Sequence, residues 1–163
     1  GVTRGAQAQE EDICRKTSLY PTLNKKLYPL HNDQLIYTED VYIVRDIDAS
    51  FLKKPVDISV GSMAAIRRPQ LYHGGSYGKR DKDIMRNKIK MLLQTAHFHN
   101  HNVLVLGAWG CGAFRNPADE VAELFRDVIE NDFKNAFDVI VFAVLEFGKS
   151  TPLNDSFNYV FNE

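Results

Sequence analysis

Cysteine is scarce in this chain of 163 residues: there are two, Cys14 and Cys111, far apart in sequence. They give neither metal-ligand spacing nor a disulfide framework, which fits a reducing, intracellular compartment. No apolar run approaches the ~20 residues that a membrane span needs. The first residues, "GVTRGAQAQEED", are acidic and glycine-bearing rather than basic and then apolar, so they do not read as a secretory signal. Charge of one sign is lacking as well. Twenty basic against 21 acidic residues leave a formal net charge of -1, and no global field favours nucleic acid or an acidic membrane. The expectation is therefore an intracellular protein, in the first place cytoplasmic with the nucleus left open, with no membrane contact and no direct DNA binding. What is present is ordinary for a globular domain: 44% apolar and 25% charged residues, at a length that suits one domain with a sizeable core.

The patterning has an order. Ala8 to Ser18 reads as a helix, with Glu10, Glu11 and Asp12 at its start and Arg15 and Lys16 at its end, as the helix dipole favours, and Pro21 limits it. "LIYTEDVYIVR" predicts two short strands, Leu35 to Tyr37 and Val41 to Arg45. Val56 to Val60 reads as a buried strand, and Arg67 to Asp83 as a long glycine-bearing loop suited to a lid or recognition role. A long amphipathic helix follows over Asp81 to His99. "NVLVLG" and "FDVIVFAVLEF" are apolar runs of the kind buried on both faces of a parallel sheet. Between them lies a helix with Asn116 at its N-cap and Pro117 at its first position. A short helix around Asp155 to Phe161 closes the chain. From Val56 onward the order is strand, helix, strand, helix, strand, helix, which argues an α/β layered domain with a largely parallel core.

Two stretches have the composition for chemistry. In "VLVLGAWGCGAFRNPADEV" a strand ends at Gly107 and a glycine-rich turn delivers the chain to a helix. Ligands of open α/β sheets sit at the carboxyl ends of strands, and N–H groups exposed at such a turn bind phosphate oxygens. A tight turn with no ligand shares this local pattern. No Lys follows Gly112, so it is not a P-loop. An acidic residue reading a nicotinamide ribose has only Asp132, at a helix end, or the distant Glu146 to fill the role. Diphosphate binding without nicotinamide chemistry fits better. The second stretch is Gln9-Glu10-Glu11. Acids in a first turn commonly do no more than complement the helix dipole. Adjacent carboxylates on a helix diverge by about 100°, so one can act on a substrate while the other holds a neighbouring hydroxyl.

Taken together, "GVTRGAQAQEEDICRKTSLYPTL" and "VLVLGAWGCGAFRNPADEVAELF" resemble the microbial-type poly(ADP-ribose) glycohydrolases, whose signature is a triple glycine, a short spacer and Gln-Glu-Glu. One glycine of the triple, Gly1, stands here, seven residues ahead of Gln9-Glu10-Glu11. The resemblance extends over most of the chain. It implies one domain over residues 1–163, α/β in class, with a macrodomain-like three-layer α/β/α fold and a mixed, largely parallel sheet. It implies a hydrolase that cleaves the glycosidic bond between ADP-ribose units, or between ADP-ribose and protein, with neither metal nor cofactor. A non-catalytic reader of ADP-ribose on the same fold is the alternative; the intact second acid favours the enzyme. Carried over by position, Glu11 is the catalytic acid, Glu10 holds ribose hydroxyls and Gln9 supports the loop. Gly1 belongs to the ligand loop. Gly107, Ala108, Gly110, Cys111, Gly112 and Ala113 wrap the diphosphate, and Phe114 packs on the distal ribose. Relatives carry a substantial segment ahead of the glycines that supplies strands of the sheet, so the expectation is a domain short of its N-terminal strands and helices, with that segment a separate partner piece if it is not part of the same chain. Relatives also commonly have an Ala-Pro-Asn-like sequence where Ile66-Arg67-Arg68-Pro69 stands, which implies a changed pocket rim or a changed acceptor preference.

Overall fold

The computed structural model describes residues 8–23, 27–72, 74–146 and 150–162. The chain divides into two compact units, Gly1–Met63 and Ala64–Glu163.

The first unit is a long antiparallel hairpin with two short helices. Helix α1 (Gln9–Lys16) and the single turn α2 (Leu19–Thr22) precede strands β1 (Ile36–Arg45) and β2 (Phe51–Ser62). β1 is one strand where two were expected, because Glu39 and Asp40 form a bulge rather than a break. Thr38 pairs with Val60 and Val41 with Ile58, so β1 spends one more residue than β2. Asp40 takes up the kink at φ 55°, a conformation that aspartate tolerates better than most residues. β2 runs well beyond the expected Val56 to Val60, and it is not a buried strand: Val56 is half-exposed and only Ser62 at its end is buried. The core of this unit is small. Cys14, Leu19 and Val41 are buried together, with Ile13, Tyr20, Leu23, Ile58 and Val60 around them. The chain between the helices is clipped to β1: the Ser18 amide donates to the Tyr42 carbonyl and the Tyr42 amide to Ser18 Oγ, both at 2.9 Å.

The second unit alternates helix and strand as the sequence order requires: α3 (Lys79–Phe98), β3 (Val103–Leu106), α4 (Ala118–Asp132), β4 (Val139–Phe142) and α5 (Pro152–Phe161). β3 and β4 pair in parallel, Val103 to Val139 through Leu106 to Phe142. The antiparallel and parallel pairings of a mixed α/β fold are thus both present, as two two-stranded sheets among the described residues. The expectation that "NVLVLG" and "FDVIVFAVLEF" are buried on both faces is corrected. Leu104, Leu106 and Phe142 pack against the core, while Val103, Val105, Val139 and Val141 are 55%, 70%, 48% and 46% exposed. Among the described residues only one face of this pair is covered, so the alternation of a strand with one buried face appears within an unbroken apolar run.

The core itself joins α3, α4 and α5. Met85, Ile89 and Leu93 of α3 meet Val121, Phe125 and Val128 of α4, all fully buried. Phe125 stands edge-on to Phe142 at 5.2 Å, and Phe142 stacks on Phe161 at 4.6 Å. At the surface Arg86 bonds Asp127 and Asp132, and Lys90 bonds Asp132, at 2.6–2.7 Å. Phe125→Ala is expected to cost about 3–5 kcal/mol, because it removes a fully buried ring and leaves a cavity. Denaturant unfolding monitored by circular dichroism measures this, and a loss below 1 kcal/mol contradicts the packing described.

Candidate active site

The glycine turn is built on a single side chain. Asn116 was expected to cap α4, but the N-cap position falls on Pro117 with no side-chain cap bond. Asn116 is buried and faces inward. Its Nδ2 donates to the Ile66 carbonyl at 2.8 Å and to the Gly110 carbonyl at 2.9 Å, and its Oδ1 accepts from the Tyr77 hydroxyl at 2.7 Å. Its amide also donates to Gly110 O. A proline at the next position leaves α4 with one fewer N–H to cap, which frees the asparagine for this work. Gly110 sits at φ 78°, and a Cβ there falls 2.5 Å from Ala65 Cβ and from Asn116 Nδ2. Both the backbone angle and the space require glycine.

The turn continues through Cys111, whose amide donates to Ala108 O, to Arg115, whose amide donates to Gly112 O. The amides of Gly112, Ala113 and Phe114 have no acceptor among the described residues, and a Cβ at Gly112 meets open space. Three consecutive N–H groups without acceptors beside a glycine are suited to an anionic ligand. Gly107 is buried, Ala108 and Trp109 pack against the core, and Phe114 is half-buried. The Phe114 carbonyl accepts from the Arg68 amide at 2.8 Å, so the segment after β2 forms one wall of the turn.

The long loop expected as a lid is tied down at its base. Tyr72 and Ser76 close a small hairpin over Gly74 and Gly75, the Tyr77 amide donates to Glu120 Oε1, and the Gln70 amide to Asp81 Oδ2. Tyr77 belongs to the core, while Tyr72 is exposed. The two acids weighed for a nicotinamide ribose are otherwise engaged. Asp132 is held by Arg86 and Lys90, the Lys90 bond foremost in keeping its carboxyl below the usual range. Glu146 accepts from the amides of Leu153 and Asn154 at the start of α5. His97, in the last turn of α3, stands edge-on to Phe133 and Phe137.

The acidic run lies in the first unit. Gln9, Glu10 and Glu11 form the first turn of α1, with Gln9 and Glu10 exposed and Glu11 half-buried. Glu10 accepts a hydrogen bond from the Tyr28 hydroxyl at 2.7 Å. Cys14, one turn on, is buried, and that burial, followed by the charges of Glu10 and Glu11, pushes its thiol up. Gly1 lies outside the described residues. Sequence reasoning missed two residues, Asn116 in its inward role and Tyr28. An asparagine just before a proline at a helix start was the one available signal for the first.

The model of the microbial-type PARG catalytic domain matches residues 1–46. No curated protein matches at the level of sequence. Among solved structures, a variant of poly(ADP-ribose) glycohydrolase from Deinococcus radiodurans in complex with ADP-ribose is 31% identical, with a TM-score of 0.83 over 98% of this chain and 69% of its own. Another crystal form of the Deinococcus enzyme with ADP-ribose is 30% identical at 0.81, over 99% and 71%. The Thermomonospora curvata enzyme bound to the inhibitor ADP-HPD is 31% identical at 0.86, over 97% and 64%. The fold is thus the macrodomain-like α/β class of ADP-ribose glycohydrolases. Within that class, the chain belongs to the microbial-type poly(ADP-ribose) glycohydrolase family.

Two outcomes are expected of the turn. Asn116→Ala strands the Ile66 carbonyl and the Tyr77 hydroxyl, while Gly110 O keeps the bond from the residue 116 backbone amide, and the change is expected to lower stability by about 1–3 kcal/mol, read by thermal melting. The Cys111 thiol is pushed up to about 12 by burial. A raised value leaves less thiolate at any lower pH, so alkylation of Cys111 at pH 8 is expected to be roughly 10³-fold slower than in the unfolded chain. The rate should then climb about tenfold per pH unit through the alkaline range. Mass-spectrometric timing of iodoacetamide labelling measures it, and a rate equal to that of the denatured chain refutes it.

Proposed function

We propose that this protein hydrolyses the O-glycosidic ribosyl bond of poly(ADP-ribose), or of ADP-ribosylated protein, and releases ADP-ribose. The observation that carries the reading is Gln9-Glu10-Glu11 in the first turn of α1, in a chain of this family. Cleavage of a ribosyl bond passes through an oxocarbenium-like state. Glu11, protonated, donates to the departing oxygen as the bond from the anomeric carbon breaks. Water then adds to that carbon and returns its proton to Glu11. Glu10 holds ribose hydroxyls and Gln9 supports the loop. The amides of Gly112, Ala113 and Phe114 take diphosphate oxygens, and the Phe114 ring lies against the distal ribose. The three acceptor-free amides support the assignment to the diphosphate, since each offers a hydrogen bond that a phosphate oxygen completes. No step in this chemistry requires a metal or an organic cofactor.

Glu11→Gln in the full-length protein is expected to slow release of ADP-ribose from the polymer about 10²–10⁴-fold, the usual contribution of a general acid. Affinity for ADP-ribose itself should change little. Release followed by chromatography, with calorimetric titration of ADP-ribose alongside, measures both; turnover near the unsubstituted rate overturns the role given to Glu11.

A further inference from the structure

Tyr28 follows Glu10 by 18 positions and lies outside every helix and strand, yet its hydroxyl donates to Glu10 Oε1 at 2.7 Å. A tyrosine remote in sequence thus reaches the first turn of α1 through one bond. Burial, and then the bond to Glu10, raise the phenol far above its ordinary range. The Tyr28 phenol thus keeps its proton and acts as the donor of this bond.

This bond has little reason to exist for stability. Glu10 is exposed and Tyr28 is 37% exposed, and polar contacts at such places contribute little to folding. Its specific effect is orientation. Free glutamate side chains sample several rotamers, and a carboxylate bonded at one oxygen presents the other in a defined direction.

We propose that Tyr28 is a positioning residue for Glu10, occupying one carboxylate oxygen so that the other meets the ribose hydroxyls of the bound ADP-ribose unit. This rests on the reading of Glu10 as the hydroxyl-binding acid. Because Glu10 binds hydroxyls alike in ground and transition states, loss of its orientation raises KM and leaves kcat nearly untouched.

The test is a double-substitution cycle in the full-length protein with Tyr28→Phe, Glu10→Gln and both together. It reads Kd for ADP-ribose by calorimetry, kcat and KM on poly(ADP-ribose), and melting temperature. Tyr28→Phe is expected to weaken ADP-ribose binding about five- to tenfold, the size of one ordinary net hydrogen bond, with kcat within about twofold and melting unchanged. The double variant should bind no more weakly than Glu10→Gln alone, since the phenol acts only through that carboxylate. Unchanged binding in Tyr28→Phe while Glu10→Gln is weakened overturns the proposal and leaves the role of Glu10 standing. Additive losses overturn it too, because Tyr28 then acts by another route. Unchanged binding in Glu10→Gln overturns the role of Glu10 itself.

Discussion

Three hydrogen bonds at the buried side-chain amide of Asn116, two donated and one accepted, hold the glycine turn of the second unit in shape. They reach Ile66 on the segment after β2, Gly110 in the turn and Tyr77 at the foot of α3. Each of these is a buried or half-buried polar group that costs free energy if left alone. One side chain satisfies all three, and the satisfied network is what specifies a single geometry. The left-handed backbone at Gly110 follows from it, since the turn closes against Asn116 and Ala65 with no room for a Cβ. The carbonyls of Ala108, Gly110 and Gly112 are taken up by the turn, and the amides of Gly112, Ala113 and Phe114 are left without an acceptor among the described residues.

The acidic run is positioned by a different means. Helix α1 is anchored at its far end, where Cys14 and Leu19 meet Val41 and where Ser18 and Tyr42 exchange two hydrogen bonds. Thr17 accepts from the Leu19 amide and donates to Ile13, turning the chain sharply into the next segment. Anchoring one end of a two-turn helix leaves the other end to polar contacts, which is where Glu10 meets Tyr28. The charges of Asp12, Arg15 and Lys16 pair along the helix flank.

Much of this was legible in the sequence. The order of helices and strands from β2 onward follows from the switch between 3.6-residue and continuous apolar patterning, and the glycine turn follows from Gly107, Gly110 and Gly112 between a strand and a helix. The ends of elements were less legible. A bulge at Asp40 looks in sequence like a turn, because the same residues serve both. Asn116 looks like a cap because its identity is right for one, while the partners that claim it, Ile66 and Tyr77, lie some 40 to 50 positions away. Val105 and Val141 read as buried because composition reports apolarity and not what covers it. Tyr28 carries no local signal at all, since its importance lies only in being near Glu10.

The two sheets also differ in how they can assemble. β1 and β2 are neighbours in the chain, joined through residues 46–50, where the Asp46 amide bonds Ser50 and the Ala49 amide returns to Asp46. Such a hairpin closes locally, on the microsecond scale typical of hairpins. β3 meets β4 only across the glycine turn and the whole of α4, and non-local parallel pairing is slow because loop entropy is lost before contacts repay it. The turn that offers its amides to a ligand is thus also the link that must be ordered before the parallel pair can zip, which ties the kinetics of assembly to the segment proposed to hold the diphosphate.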